Sequence, residues 1–169
     1  RLFHMNPITL KRFIFGSSIN RTLLRALITA LLLFAFFRFV LLPVRVRGES
    51  MSPTFRDGAL HAAFLLKYAR AEPSRGDVVV IETTGKRVLY LKRILGLPGE
   101  TIGFKNGKRV IDGRELDEPY LDVKGNWELA PFRIPEHHYF VAGDNRSLPM
   151  DVHVLGTVDR AKIAGGILF

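Results

Sequence analysis

The apolar residues of this chain form one long continuous run, followed by a series of short runs. Residues 23–42 read LLRALITALLLFAFFRFVLL, with Arg25 and Arg38 as the only charged residues. Twenty residues is about the length of a helix that spans a bilayer. Arg25 and Arg38 lie near enough to the two ends for their guanidinium groups to reach the lipid headgroups. The pattern predicts a single transmembrane helix over 23–42, ended by Pro43.

The alternatives to a membrane anchor are a cleaved secretory signal and a buried core helix. A cleaved secretory signal has a shorter apolar region, and residues 43–45 (PVR) do not form a small-x-small cleavage site. A buried core helix that is apolar on all sides needs a larger protein around it. Both alternatives fit the sequence less well than an anchor.

The chain from residue 43 onward shows β-branched or alternating runs separated by turn residues, which is typical of a β domain. Strands are predicted at residues 77–82, 88–95, 101–104, 109–111 and 138–142, and the apolar tail 161–169 is predicted to be a bend or a terminal strand. Asn106-Gly107 suits a tight hairpin. Residues 113–135 are the least regular and are expected to form a loop or small extension. The fold class is therefore a mainly β domain, antiparallel or mixed, over 43–169 on one N-terminal helix.

The net charge of +9 is concentrated around the apolar run. Residues 1–47 contain eight basic residues and no acidic one, whereas the rest has 17 basic and 16 acidic residues. A nucleic-acid-binding domain carries its excess charge on the folded body, so no nucleic-acid partner is expected. Basic residues before the run place segment 1–22 in the cytoplasm and the β domain outside. Arg45 and Arg47, on the far side of the run, weaken this assignment.

The sequence gives no sign of a metal or cofactor. It contains no cysteine, which excludes disulfides and thiolate metal sites. The His137-His138 pair has no third ligand at a characteristic spacing, so we expect no metal site.

Ser50 is a candidate nucleophile because it follows the apolar run in residues 48–54 (GESMSPT). A serine hydroxyl needs a base beside it to react near neutral pH. Lys92 is the candidate base, since strand alternation puts it on one face with Tyr90 and Ile94. Burial of that face would lower the lysine pKa and leave a neutral amine. The alternative is a lysine at a sheet edge that extends into water.

Four segments occur in an order that identifies a family. They are residues 50–54 (SMSPT), 75–79 (RGDVV), 90–93 (YLKR) with 96–100 (GLPGE), and 143–146 (GDNR) with Asp151 and Gly156. Together, behind an apolar anchor with Arg38 near its end, they resemble the type I signal peptidases of bacteria. These are serine–lysine membrane proteases that remove signal peptides.

The resemblance implies roles for individual residues. Ser50 matches the nucleophile and Lys92 the general base. The backbone groups of Ser50 and Gly48 match the oxyanion donors, and some relatives have a serine at the position of Gly48. Met51, Leu91 and Tyr90 match the substrate pocket. The residues that match structural support of the site are the Arg93–Asp144 ion pair, Asn145, Arg146 and Asp151.

The last motif departs from the family pattern. Pro149 stands where the family has a serine that hydrogen-bonds the lysine. We therefore expect either that Ser52, Ser147 or a backbone carbonyl orients Lys92 instead, or that Lys92 is held less firmly. Val152 and His153 replace the Ser-Arg pair that follows the aspartate. His153 substitutes for the arginine only when it is protonated.

The resemblance predicts a membrane-bound serine endopeptidase of the bacterial cytoplasmic membrane, with its catalytic domain outside. It would cleave signal peptides after small residues at −1 and −3. The expected partners are signal peptides of exported preproteins, membrane lipid and the secretion machinery, with no cofactor. Two alternatives stay open: a serine–lysine peptidase for a narrow substrate, such as a pilus or conjugation protein, and an inactive binding module of the envelope.

Overall fold

The computed structural model describes residues 19–83, 89–153 and 156–168, in two compact units divided after Val40. The first unit contains helix α1, Ile19–Phe39, with no buried residue. This helix is long and apolar enough to cross a membrane.

The predicted end of the helix was wrong. Helix α1 stops at Phe39, and Pro43 lies inside strand β1, Leu41–Arg45. Leu41 and Pro43 are paired with strand β2 instead of extending the helix. Strand β1 is the edge of its sheet, and an edge strand tolerates a residue without a backbone N–H.

The second unit contains a seven-stranded antiparallel sheet in the order β1-β2-β11-β3-β4-β9-β10. Its further strands are β2 Leu60–Phe64, β3 Val78–Glu82, β4 Leu89–Gly96, β9 His138–Ala142, β10 Thr157–Asp159 and β11 Ile163–Leu168. Two short 3₁₀-helices, Met150–Val152 and Arg160–Lys162, precede β10 and β11. Strand β4 is an inner strand, with β3 on one side and β9 on the other.

A second sheet of four antiparallel strands has the order β7-β6-β5-β8. Its strands are β5 Thr101–Lys105, β6 Lys108–Ile111, β7 Arg114–Leu116 and β8 Leu129–Arg133. Strands β7 and β8 fall within residues 113–135, which we expected to form a loop or small extension. Strand β7 has only three residues and β8 contains Pro131, so neither has the periodicity from which a strand is predicted.

The apolar side chains form three clusters. Val79 and Ile81 of β3 face one cluster and Val78 and Val80 face another, so β3 is buried on both sides. A third cluster contains Leu95 of β4 together with residues of β5, β6 and β9, and it joins the two sheets.

Most of the predicted β structure is confirmed. The runs at 77–82, 88–95, 101–104, 109–111 and 138–142 are strands within a residue or two of the predicted ends, although Val88 and Phe169 lie outside the described residues. Asn106 and Gly107 have φ values of 49° and 73°, as a tight hairpin requires. The mainly β fold with one N-terminal apolar helix is therefore as expected.

Candidate active site

Ser50 lies in the loop between β1 and β2, and the turn after β9 holds its backbone. The Asn145 N–H donates to the Ser50 carbonyl at 3.0 Å, and the Asn145 side-chain amide donates to the Glu49 carbonyl at 3.1 Å. Gly143 of the same turn lies so close that a Cβ there would be 2.0 Å from the Ser50 carbonyl oxygen. The turn 143–145 therefore fixes where Ser50 sits.

Lys92 meets Ser50 from strand β4. Its Nζ lies 3.0 Å from the Ser50 Oγ, and only 3% of the residue is exposed. Burial lowers the Lys92 pKa, while the nearby Asp144 carboxylate acts in the opposite direction. Lys92 is thus not a surface residue at a sheet edge, and its environment favours the neutral amine.

In the part of the chain that the structure describes, the expected replacements for the family serine make no hydrogen bond with Lys92. Among the described residues, the hydrogen bond that Lys92 Nζ makes is with the Ser50 Oγ. The Ser147 hydroxyl donates to the Asn145 side chain instead, and Ser52 shows no side-chain hydrogen bond to a described residue. Burial in β4 and the Ser50 hydroxyl position the amine.

The Arg93–Asp144 pair is present and buried. The Arg93 Nε and Nη2 donate to the two Asp144 carboxylate oxygens at 2.8 and 2.6 Å. The Thr54 hydroxyl donates to the same carboxylate at 2.7 Å. The pair links β4, which carries Lys92, to the turn that holds Ser50.

Arg146 pairs with Glu118, a partner that the sequence gave no reason to expect. Two hydrogen bonds of 3.0 and 2.7 Å join the buried groups, and the Arg146 Nε donates to the Gly143 carbonyl at 2.9 Å. The guanidinium also lies 4.7 Å from the Trp127 ring centre. Arg146 therefore supports the turn through its bond to the Gly143 carbonyl and its ion pair with Glu118.

His153 contacts the same turn, while its neighbour Asp151 does not. The His153 ring lies between the Gly143 N–H and the Asn145 carbonyl. Asp151 is exposed, and no described residue makes a hydrogen bond or ion pair with it. The structure thus brings four of the five predicted supporting residues to the site or its turn and leaves Asp151 outside.

A groove runs past Ser50. Residues 43–48 form one side, and Leu89, Tyr90 and Leu91 form the other, with Met51 between them. Strand β1 is a sheet edge, and β4 pairs with β9 only from Arg93 onward. Among the described residues, both sides of the groove therefore have one edge of backbone without a paired strand.

The two predicted oxyanion donors differ in their surroundings. The Gly48 N–H donates to the Asp57 carboxylate at 2.8 Å. No described residue accepts a hydrogen bond from the Ser50 N–H. The N–H beside the serine hydroxyl is thus the one open to a ligand.

Comparison with known proteins identifies the family. The model of the family described as signal peptidase, peptidase S26, matches residues 19–169. Signal peptidase I of Bacillus licheniformis is 39% identical over 155 residues, which cover 83% of this chain and 82% of that protein. Signal peptidase IB of Staphylococcus aureus is 31% identical over 82% of this chain and 81% of its own length.

A crystal structure of a signal peptidase I from Enterococcus faecalis is similar with a TM-score of 0.47 and 30% identity, covering 57% of this chain and 97% of that one. The family match and the two relatives each span most of the chain. The chain therefore belongs to the signal peptidase family, peptidase S26, and is a serine endopeptidase.

Proposed function

We propose that this protein removes signal peptides from exported preproteins, with Ser50 as nucleophile and Lys92 as general base. The observation that carries the proposal is the 3.0 Å contact between the Ser50 Oγ and a buried Lys92 Nζ with a lowered pKa. A neutral amine at hydrogen-bond distance is what a serine hydroxyl needs to become reactive.

In the proposed reaction, Lys92 Nζ takes the proton from the Ser50 Oγ as that oxygen attacks the scissile carbonyl. The Lys92 ammonium then gives this proton to the leaving amine as the peptide bond breaks. Water loses a proton to the same amine and hydrolyses the ester on Ser50. One lysine thereby serves as base and acid in both halves of the reaction.

The oxyanion of the tetrahedral intermediate would be held by the Ser50 N–H. A preorganised backbone donor stabilises charge that develops in the transition state. Because the Gly48 N–H is already bonded to Asp57, we assign the main donor to Ser50. Gly48 would contribute only if it exchanged Asp57 for the substrate.

The groove suits an extended peptide. Its β1 side and its Leu89–Leu91 side both offer unpaired backbone, so a substrate strand can add to either edge. Met51, Leu91 and Tyr90 line the part nearest Ser50. We propose that they form the shallow pockets for small side chains at −1 and −3.

The membrane arrangement is part of the proposal. Helix α1 would anchor the chain in the bacterial cytoplasmic membrane, with segment 1–22 inside and the β domain outside, in contact with lipid and near the secretion machinery. Residues 1–18 of that segment lie outside the described residues. The basic residues before the helix support this orientation.

Two alanine variants test the chemistry. We expect Ser50→Ala and Lys92→Ala to abolish cleavage of a preprotein with an Ala-x-Ala site in detergent. An inactive binding module would show no cleavage by the unmodified chain and equal peptide affinity in all three proteins. A peptidase for a narrow substrate would cleave one member of a preprotein panel and leave the others intact.

The lack of cysteine makes topology straightforward to test. Thr9→Cys and Val123→Cys each introduce one thiol. In intact spheroplasts, we expect a membrane-impermeant maleimide to label the cysteine at 123 and to label the one at 9 only after lysis. The reverse result would overturn the orientation without affecting the proposed chemistry.

A further inference from the structure

The His153 side chain closes the turn that holds Ser50. Its Nδ1 lies 3.2 Å from the Gly143 nitrogen, and its Nε2 lies 3.1 Å from the Asn145 carbonyl oxygen. These two residues are the ones that touch the Ser50 carbonyl, Asn145 through its N–H and Gly143 through close packing. One ring therefore spans the two ends of the turn.

The two partners determine the form of the ring. A backbone N–H only donates and a carbonyl only accepts. The Gly143 N–H must therefore donate to an unprotonated Nδ1, and the Nε2–H must donate to the Asn145 carbonyl. Only the neutral tautomer with hydrogen on Nε2 makes both bonds.

The surroundings favour this neutral form. His153 is 8% exposed and packs edge-to-face on the Trp127 ring, with 4.7 Å between ring centres. Burial and the nearby Lys92 and Arg146 lower the pKa of His153 to about 4. The ring thus does not meet the condition, protonation, under which it could substitute for the arginine of the family.

We propose that His153 is a positioning residue of the active site, holding the turn 143–145, and through it Ser50, in register with Lys92 by means of the Nε2–H tautomer. This inference rests on the proposed function of Ser50 and Lys92. The hydrogen bonds that His153 makes with described residues go to Gly143 and Asn145, and not to the Ser50 hydroxyl or Lys92. Its effect passes through Gly143 and Asn145.

The tautomer is tested directly by ¹⁵N–¹H correlation spectra of the full chain in detergent micelles, with ¹⁵N-labelled histidine. At pH 7 we expect one histidine, absent from the His153→Gln spectrum, with a pyridine-type Nδ1 and a protonated Nε2. An Nδ1–H tautomer or an imidazolium at this position would overturn the proposal. This readout does not depend on catalysis.

Two substitutions then separate hydrogen bonding from packing. Gln has an oxygen that can accept from Gly143 and an amide that can donate to Asn145, whereas Phe fills the space without either group. We expect His153→Phe to lower kcat roughly tenfold with KM nearly unchanged, as for loss of two weak hydrogen bonds at a positioning site. His153→Gln should restore kcat to within about threefold of the unmodified chain.

His138→Gln is the matched control. His138 is a less buried histidine of the same domain, and its side chain lies against Glu136 and Asp159 and not against the turn that holds Ser50. The substitution should leave kcat and KM unchanged. Equal kcat in the Phe and Gln variants, or a change in KM alone, would overturn a positioning role. If Ser50→Ala retained activity, the proposed function would fail while the tautomer result stood on its own.

Discussion

Two opposing influences act on the Lys92 amine. Burial destabilises its ammonium form, while the Asp144 carboxylate stabilises it, and burial is the larger influence. Asp144 is itself engaged by Arg93 and Thr54, which limits how far it favours the charged lysine. The contacts around Asp144 therefore help to keep the Lys92 amine neutral, as its proposed role as a base requires.

The rate of cleavage should depend on pH through Lys92. Since the folded-state pKa is lowered, we expect kcat/KM to rise with pH along one acid limb whose midpoint lies well below about 10.4, the free lysine value. Initial rates with a peptide substrate across the pH range measure this limb. Lys92→Arg should be inactive at every pH, because arginine stays protonated. A rate that rises only above the free lysine value would contradict a buried neutral base.

At the residue scale, a contact could be predicted from the sequence where each partner lies in a local motif. Ser50 and Lys92 could be named because each lies in a recognisable segment, although 42 positions separate them. Arg146 also lies in such a segment, but its partner Glu118 is 28 positions away and lies outside all of them, so this pair could not be predicted. The role of His153 likewise depends on its contacts with backbone groups of Gly143 and Asn145. Because nearly every residue carries the same backbone groups, the sequence does not indicate such contacts.

At the scale of elements, the turn after β9 does more than connect strands. It presents Gly143, Asp144 and Asn145 to three different partners: the Ser50 backbone, Arg93 and the Glu49 carbonyl. A strand ending in a loop was predicted here from the sequence. The contacts between this turn and the β1–β2 loop could not be predicted, because they depend on the three-dimensional arrangement of the strands that carry the two segments.

Gly143→Ala should disrupt the site. A Cβ at this position would meet the Ser50 carbonyl oxygen at 2.0 Å and its carbon at 2.9 Å. Since both atoms belong to backbone, either Ser50 or the turn must move, and displacement by about 1 Å can cost roughly 100-fold in rate. We expect that loss in kcat/KM for a peptide substrate.

Gly156→Ala is the control for this substitution. Its Cβ would lie 3.4 Å from the Phe140 ring, an ordinary contact, so activity should be almost unchanged. Full activity of Gly143→Ala would show that the turn does not determine the position of Ser50.

At the scale of the whole molecule, the buried Glu118–Arg146 ion pair joins segments that follow strands of the two sheets. Glu118 follows β7 of the smaller sheet, and Arg146 follows β9 of the larger sheet; their side chains are 3% and 0% exposed. Removing one partner of such a pair leaves an unpaired buried charge, which typically costs about 3–5 kcal/mol. We expect Glu118→Gln to lower the free energy of unfolding by about that amount, measured by urea denaturation in detergent.

Glu115→Gln is the matched control, because Glu115 pairs with Lys108 at the exposed surface of the same small sheet. Its unfolding curve should overlay that of the unmodified chain, as exposed ion pairs contribute little. Equal curves for the two variants would contradict a structural role for the Glu118–Arg146 pair.

The same pair makes stability depend on pH. Although burial acts in the opposite direction, the bonds from Arg146 leave the pKa of Glu118 below its usual value. Its contribution is therefore complete above the unfolded-state pKa of about 4.3 and is lost as pH falls through the lower, folded value. His153 also makes the fold less stable as the pH falls. In the folded chain its pKa is about 4, whereas in the unfolded chain it binds a proton below about pH 6.5.

Stability should thus decline in two stages as the pH falls, first below about 6.5 through His153 and then below about 4.3 through Glu118. The melting temperature of the full chain between pH 8 and pH 3 measures both. His153→Gln should flatten the first stage and leave the second, because glutamine does not titrate, while Glu118→Gln should weaken the second and leave the first. A variant that changed both stages equally would show that general acid unfolding, rather than these two buried groups, sets the acid limit of the fold.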